Sequence, residues 1–284
     1  MALYDPQQHR THVLLSGLDP GVFCRCAGAW CLWHLGYPDQ ALERAQAALA
    51  LASELSHPQS LDQALCSIAQ THQYRREKDP TREQAERAIA VSTERGFQMR
   101  VAMATVLRGW ALAIQEEGTE GIVQLRQGLA SYRASGAAAF GTYYLALLAE
   151  RYEQAKQPEE GLCVVGEALA LVEKSGERWW EAELHRLNGL LLLQQIAPDE
   201  QQQAETCFQR ALEIAKRQHA KSWELRAAMS LSRRWRDQGK HEAARHLLSE
   251  IYSWFTEGFE TPDLTEARTL LDKLTPPRAA AELS

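Results

Sequence analysis

Apolar runs long enough to cross a membrane are missing from this chain. A spanning helix needs about 20 apolar residues in succession, and polar side chains interrupt every stretch well short of that. The opening Met1-Ala2-Leu3-Tyr4-Asp5-Pro6 has no basic segment leading into an apolar one, so no signal peptide is read. Basic charge is not in excess either. Lys+Arg number 31 against 37 Asp+Glu, a net charge of -6, whereas duplex nucleic acid calls for a dominant basic face. Nucleic acid is therefore not an expected partner. Cysteine is sparse: Cys24, Cys26, Cys31, Cys66, Cys163 and Cys207 among 284 residues. Without a secretion signal these read as free, small hydrophobes, and the expected compartment is the cytoplasm. The alternation that marks β-strands is absent throughout. So are Gly-x4-Gly-Lys-Ser/Thr and a strand-borne Gly-x-Gly-x-x-Gly, which excludes ATP hydrolysis by those phosphate cradles. No cofactor is expected.

What is present is a period. Ala29, Ala69, Gly109, Ala149 and Gly189 lie 40 residues apart, and Ser232 follows after 43. Twelve positions later runs a second set: Ala41, Thr81, Gly121, Gly161, Ala204 and Ala244. The excess of three falls around Gln195-Ile196-Ala197-Pro198, a longer loop. A fixed period of this size marks stacked supersecondary units, each burying its apolar face against the next. Hydrophobic residues make up 45% of the chain, enough for a continuous core in one elongated domain.

Each unit reads as two helices. Gly21 to Leu35 is apolar at helical spacing, Gly36-Tyr37-Pro38 breaks it, and Asp39 is placed to cap a second helix through Ala41, Ala45 and Ala48 to about Leu55. The i, i+4, i+7 stripe recurs as Thr81/Ala85/Ala88, Gly121/Leu125/Gly128, Gly161/Val165/Ala168, Ala204/Phe208/Ala211 and Ala244/Leu248/Ile251. Gly96, Gly136 and Gly176 fall where the second helix ends, a left-handed position. The small residues Ala29, Ala69, Gly109, Ala149, Gly189 and Ser232 are expected at helix crossings, where a large side chain would hold the two helices apart. Six units are expected, over 20–58, 59–97, 98–137, 138–177, 178–220 and 221–259. One helix is expected before them (about 6–15) and a capping helix after them (about 262–274), with Thr261-Pro262 as N-cap and first helical residue.

These motifs resemble the tetratricopeptide (TPR) family. Gly-x2-aromatic of its first helix has counterparts in Ala149-x2-Tyr152 and Ser232-x2-Trp235, and Ala-x3-Phe-x2-Ala of its second stands intact as Ala204-x3-Phe208-x2-Ala211. The family's first tryptophan is missing, and the period is 40 rather than the family's usual 34. Four segments further resemble the C-terminal TPR region of bacterial class III adenylate/guanylate cyclase–ATPase fusion proteins: 35–42, 107–112, the run from Gly176 to Leu187, and 252–264. The resemblance implies an all-α, right-handed superhelical solenoid, part of a longer signalling polypeptide. The cyclase and ATPase domains of such proteins lie outside the region resembled, so neither activity is carried onto these residues.

Two metal-like constellations fail on geometry. His241 and His246 are i, i+5, about 140° apart around a helix, and cannot share one ion as an i, i+4 pair does. Cys26 lies about 200° from Cys24 on a helix, and no second cysteine pair is near.

In TPR arrays the first helices line a concave groove. Carrying the family's offsets over implies Phe23, Trp30, Trp33, His34, Gln70, Tyr74, Met103, Trp110, Tyr143, Glu150, Arg186, Arg226, Arg233 and Arg236 as groove residues. Such a groove is aromatic toward its N-terminal half and cationic toward its C-terminal half. Trp30 and Trp110, expected to face solvent, are natural anchors for a guest. Residues 210–246 hold ten Lys/Arg and four Asp/Glu, a local +6 that leaves -12 elsewhere. The expected function is a non-catalytic scaffold that binds a peptide or partner domain, including cyclase or ATPase domains of its own polypeptide. The alternatives are a small-molecule sensor, as in transcription activators of the maltose type, and a lever acting within a larger assembly. A stand-alone enzyme is disfavoured by the missing motifs.

Overall fold

The computed structural model describes residues 17–114, 118–137, 139–195 and 198–275. Among these residues it is all-α, with thirteen helices and no strand. They are α1 (Pro20–His34), α2 (Pro38–Leu55), α3 (Pro58–Tyr74), α4 (Lys78–Arg95), α5 (Gln98–Leu112), α6 (Gly118–Ala134), α7 (Gly141–Gln154), α8 (Pro158–Ser175), α9 (Glu181–Leu192), α10 (Pro198–Arg217), α11 (Lys221–Asp237), α12 (His241–Tyr252) and α13 (Pro262–Leu274). The helix expected at about 6–15 lies outside the described residues, as does part of the longer loop near 195–198.

Local chemistry sets the helix ends. Proline opens α1, α2, α3, α8 and α13, where a missing N–H costs nothing. Gly96 and Gly176 close α4 and α8 in left-handed geometry at φ 71° and 74°. One expected cap is corrected. Asp39 sits in the first turn of α2 rather than before it, and the Tyr37 side chain makes no capping bond. The amides of Asp39 and Gln40 instead donate to the Glu257 carboxylate at 2.9 and 3.0 Å, from the far end of the chain.

Every stripe residue of the second helices is buried, from Ala41, Ala45 and Ala48 to Ala244, Leu248 and Ile251. The crossings are tight where glycine stands. A Cβ on Gly109 would sit 2.5 Å from the Leu125 amide nitrogen, and one on Gly121 only 2.2 Å from that of Ala113. Ala29, Ala69 and Ala149 are wholly buried, and the Ser232 hydroxyl donates to the Ala244 carbonyl at 3.1 Å.

The first helices stand side by side, α1 against α3, then α5, α7, α9 and α11, and α11 returns to touch α1. The solenoid therefore completes a turn and closes on itself. Ser222 Oγ donates to the Trp33 carbonyl, Arg226 Nη2 donates to the Tyr74 carbonyl at 2.8 Å, and Gly258 N donates to Asp39 Oδ2 at 2.8 Å. Two glycines make the seam possible. Gly36 (φ 93°) lies against Trp254 and Lys221, and Gly258 (φ 75°) faces Pro38, whose Cγ would be 2.2 Å from an added Cβ.

Candidate functional site

Closure converts the expected trough into a lumen, and its middle is filled. Trp33, Tyr74 and Tyr143, expected to line an open groove, are buried together with Trp180 and Trp223. Their rings meet at 4.7 Å (Trp33–Trp223), 4.6 Å (Trp180–Trp223), 4.7 Å (Tyr143–Trp180) and 4.8 Å (Trp33–Tyr74). The Tyr143 hydroxyl donates to Gln73 Oε1 at 2.9 Å, and Gln70 donates to the Tyr74 oxygen. Gln70 and Met103 are likewise buried. The solvent-facing Trp110 is corrected too: it is 1% exposed, and its indole N–H donates to Glu150 Oε2 at 2.8 Å. The physical reason is curvature, because inward side chains of a solenoid that closes in one turn share a single axis. Phe23 does reach solvent, on α1, but lines none of the cavities described below.

One end of the lumen is charged. Arg76, Glu150, Arg186, Arg226, Asp263 and Glu266 are among the walls of a cavity of about 230 Å³. The four arginines expected in the groove are not free, because each has a carboxylate. Arg226 pairs with Asp263 at 2.8 Å, Arg186 with Glu183 at 2.6 Å, Arg233 with Glu266 at 3.1 Å and Arg236 with Asp237 at 2.8 Å. Burial pushes the Asp263 carboxyl up, but Arg226 and Arg76 outweigh it and hold the pKa below the usual range. Glu150 follows the same logic: burial raises it, and Arg151 and the Trp110 N–H bring it down to about 2. This end is an internally neutralised network.

The other end is aromatic and open. Trp30 and His34 on α1, Phe140 before α7, and Glu177 and Trp179 before α9 line a cavity of about 630 Å³, with Cys31 exposed beside it. Phe140 stands nearly perpendicular to both tryptophans, at 80° to Trp30 (5.5 Å) and 81° to Trp179 (5.4 Å). It does so from a left-handed backbone (φ 64°), a conformation costly for a bulky residue and characteristic of functional sites. Trp179 Nε1 donates to Glu177 Oε1 at 2.7 Å, while Glu177 Oε2 is buried with no hydrogen-bond partner. His34 Nδ1 lies 2.8 Å from the Trp30 carbonyl, which assigns the ring proton to Nδ1. Burial drives the His34 pKa down to about 4, so the ring is neutral at pH 7. Among the described residues no group of three or more His, Cys, Asp or Glu is placed to hold a metal ion, and no helix is long and apolar enough to cross a membrane.

No family model matches the chain. An uncharacterized protein of Rhizobium meliloti (strain 1021) is 27% identical over 235 residues, which cover 81% of this chain and 22% of that protein. The chain thus spans about a fifth of the length of the curated relative it matches. Among solved structures, the crystal structure of the apo form of RapI superposes with a TM-score of 0.59 at 15% identity, over 89% of this chain and 85% of that one. The fold is a helical-repeat solenoid.

Of the expected groove residues, the structure brings Trp30 and His34 to the open cavity, Trp33, Tyr74 and Tyr143 to the plug, and Glu150, Arg186, Arg226 and Arg233 to the charged end. Phe140, Glu177, Trp179, Trp180 and Trp223 were not among them. A signal for three of these was available. Phe140, Trp180 and Trp223 each precede a crossing residue (Ala149, Gly189, Ser232) by nine positions, an aromatic series in the same register as the small one.

Proposed function

We propose that this chain is a non-catalytic recognition module, a regulatory scaffold that takes a peptide or partner segment at the aromatic mouth of its closed solenoid. The carrying observation is the convergence of Trp30, Phe140 and Trp179, from three separate helix pairs, on one solvent-open cavity. Exposed aromatic surface rimmed by polar atoms is where partners anchor. Among the described residues the middle of the lumen is packed and the cavity at its charged end is ion-paired, so the mouth is the larger cavity and the one with an apolar lining. His34 donates its Nδ1–H to the Trp30 carbonyl and its ring is neutral at pH 7, so it serves the cavity as an aromatic wall. The match to a stretch of a much longer protein, together with the resemblance to cyclase–ATPase fusions, supports a role inside a longer signalling polypeptide.

A small-molecule sensor is the second reading, favoured by the cavity volume, which falls in the ligand-site range of about 300–1,000 Å³. Selection of displayed random peptides on the purified chain separates the two. Enriched peptides are expected to bind about tenfold more weakly to Trp30→Ala and Trp179→Ala variants of unchanged helicity, the loss of one hot-spot anchor. Peptides indifferent to both variants would remove the peptide reading. A metabolite screen that raises the melting temperature through the same tryptophans would install the sensor.

A further inference from the structure

The interior of this molecule repeats one device. Trp110 donates its indole N–H to Glu150 Oε2 at 2.8 Å, and Arg151 pairs with that same oxygen at 2.9 Å while its guanidinium lies 5.3 Å from the Trp110 ring centre. Arg226 sits between Trp33 and Trp223, 5.1 Å from each, with Asp263 at 2.8 Å. Tryptophan, carboxylate and guanidinium come together both times.

The mouth holds two parts of the same set. Trp179 donates to Glu177 Oε1 at 2.7 Å as Trp110 does to Glu150, and Glu177 Oε2 has no partner. Among the described lining residues there is no lysine or arginine, and Glu177 is the one acidic side chain, beside a neutral His34. The chain's own Arg178, next in sequence, turns to Glu173 and Glu181 at 3.0 and 3.1 Å.

We infer that the mouth accepts a guanidinium, the arginine side chain of a partner segment, stacked on Trp179 and paired with Glu177. The inference rests on the reading of the mouth as the recognition site. Arginine fits better than lysine for a physical reason. A guanidinium is planar, more weakly hydrated, stacks on indole and can meet a carboxylate with two parallel N–H bonds, whereas an ammonium is a compact, strongly hydrated point charge that is costlier to bring into an apolar cavity. Arginine is also enriched among interface anchors.

The test titrates the full chain with N-acetyl-arginine methylamide and its citrulline and lysine counterparts, read by tryptophan fluorescence and by the indole N–H resonances of Trp30 and Trp179. The arginine probe is expected to bind about tenfold tighter than citrulline, its neutral isostere, and several-fold tighter than lysine. Glu177→Gln is expected to cost the arginine probe about tenfold and to leave citrulline unchanged. Equal binding of arginine and citrulline, or an arginine affinity untouched by Glu177→Gln, overturns the guanidinium and leaves the mouth standing as an apolar recognition site. Probes that leave both tryptophans unperturbed, with selected peptides binding elsewhere, overturn the inference and the site together.

Discussion

At the scale of single residues, equivalent repeat positions took two different fates. Trp30 and Trp110 occupy equivalent places two units apart, yet Trp30 faces the cavity and Trp110 is packed on Glu150 and Arg151. Residue type and spacing are identical there; the neighbours across the lumen differ, and spacing carries no record of them. His34 makes a prediction about pH. Its folded pKa of about 4 lies below the ordinary 6.5, so the unfolded chain takes up the proton first as pH falls. Its contribution to stability is complete above pH 6.5 and drains away between 6.5 and 4. His34→Asn keeps an N–H toward the Trp30 carbonyl and removes the titration. Urea midpoints measured across that window are expected to fall less steeply in the variant than in the parent chain. Parallel curves would mean that His34 is not the group responsible.

At the scale of the element, most of what the helices do was legible. A stripe at i, i+4, i+7 buries one face of each second helix because 3.6 residues per turn bring those positions into line. The capping of α2 was not legible, because its carboxylate comes from Glu257, more than two hundred residues away. Gly109 joins the two levels, since the crossing of α5 and α6 leaves no room for a methyl group. Gly109→Ala gains helix propensity of up to about 1 kcal/mol. The contacts it would force are with backbone, Leu125 N at 2.5 Å and Gly121 O at 2.9 Å, and overpacking of this kind costs about 1–3 kcal/mol. The crossing wins. Chemical denaturation is expected to show net destabilisation, whereas Gly166→Ala, with nothing within 4 Å of its added Cβ, is expected to be neutral or stabilising.

At the scale of the whole molecule, closure is the feature on which function depends. Arg226 ties α11 to the Tyr74 carbonyl at the end of α3 and to Asp263 at the start of α13, and it stacks on Trp33 of α1. Removing one member of such a buried network leaves uncompensated charge and costs about 3–5 kcal/mol. Arg226→Met is expected to lose that much, and amide exchange is expected to accelerate in α1, α3 and α13 together. Acceleration confined to α11 and its sequence neighbours would show that the array behaves as an open chain of nearest neighbours. An opened ring would also uncover the aromatic plug, with a larger radius of gyration in X-ray scattering.

The period of 40, the small crossing residues and the glycine stops determined by themselves that this chain is an all-α repeat solenoid, because each of those signals acts within one unit or between adjacent ones. Only the tertiary structure decided that the array closes, which aromatic residues meet on its axis, and that Phe140, Trp179 and Glu177 join Trp30 at an open mouth. The reason is reach. Helical periodicity records contacts a few residues or one repeat away, whereas closure sums small rotations over six pairs and is sealed by side chains from opposite ends of the chain.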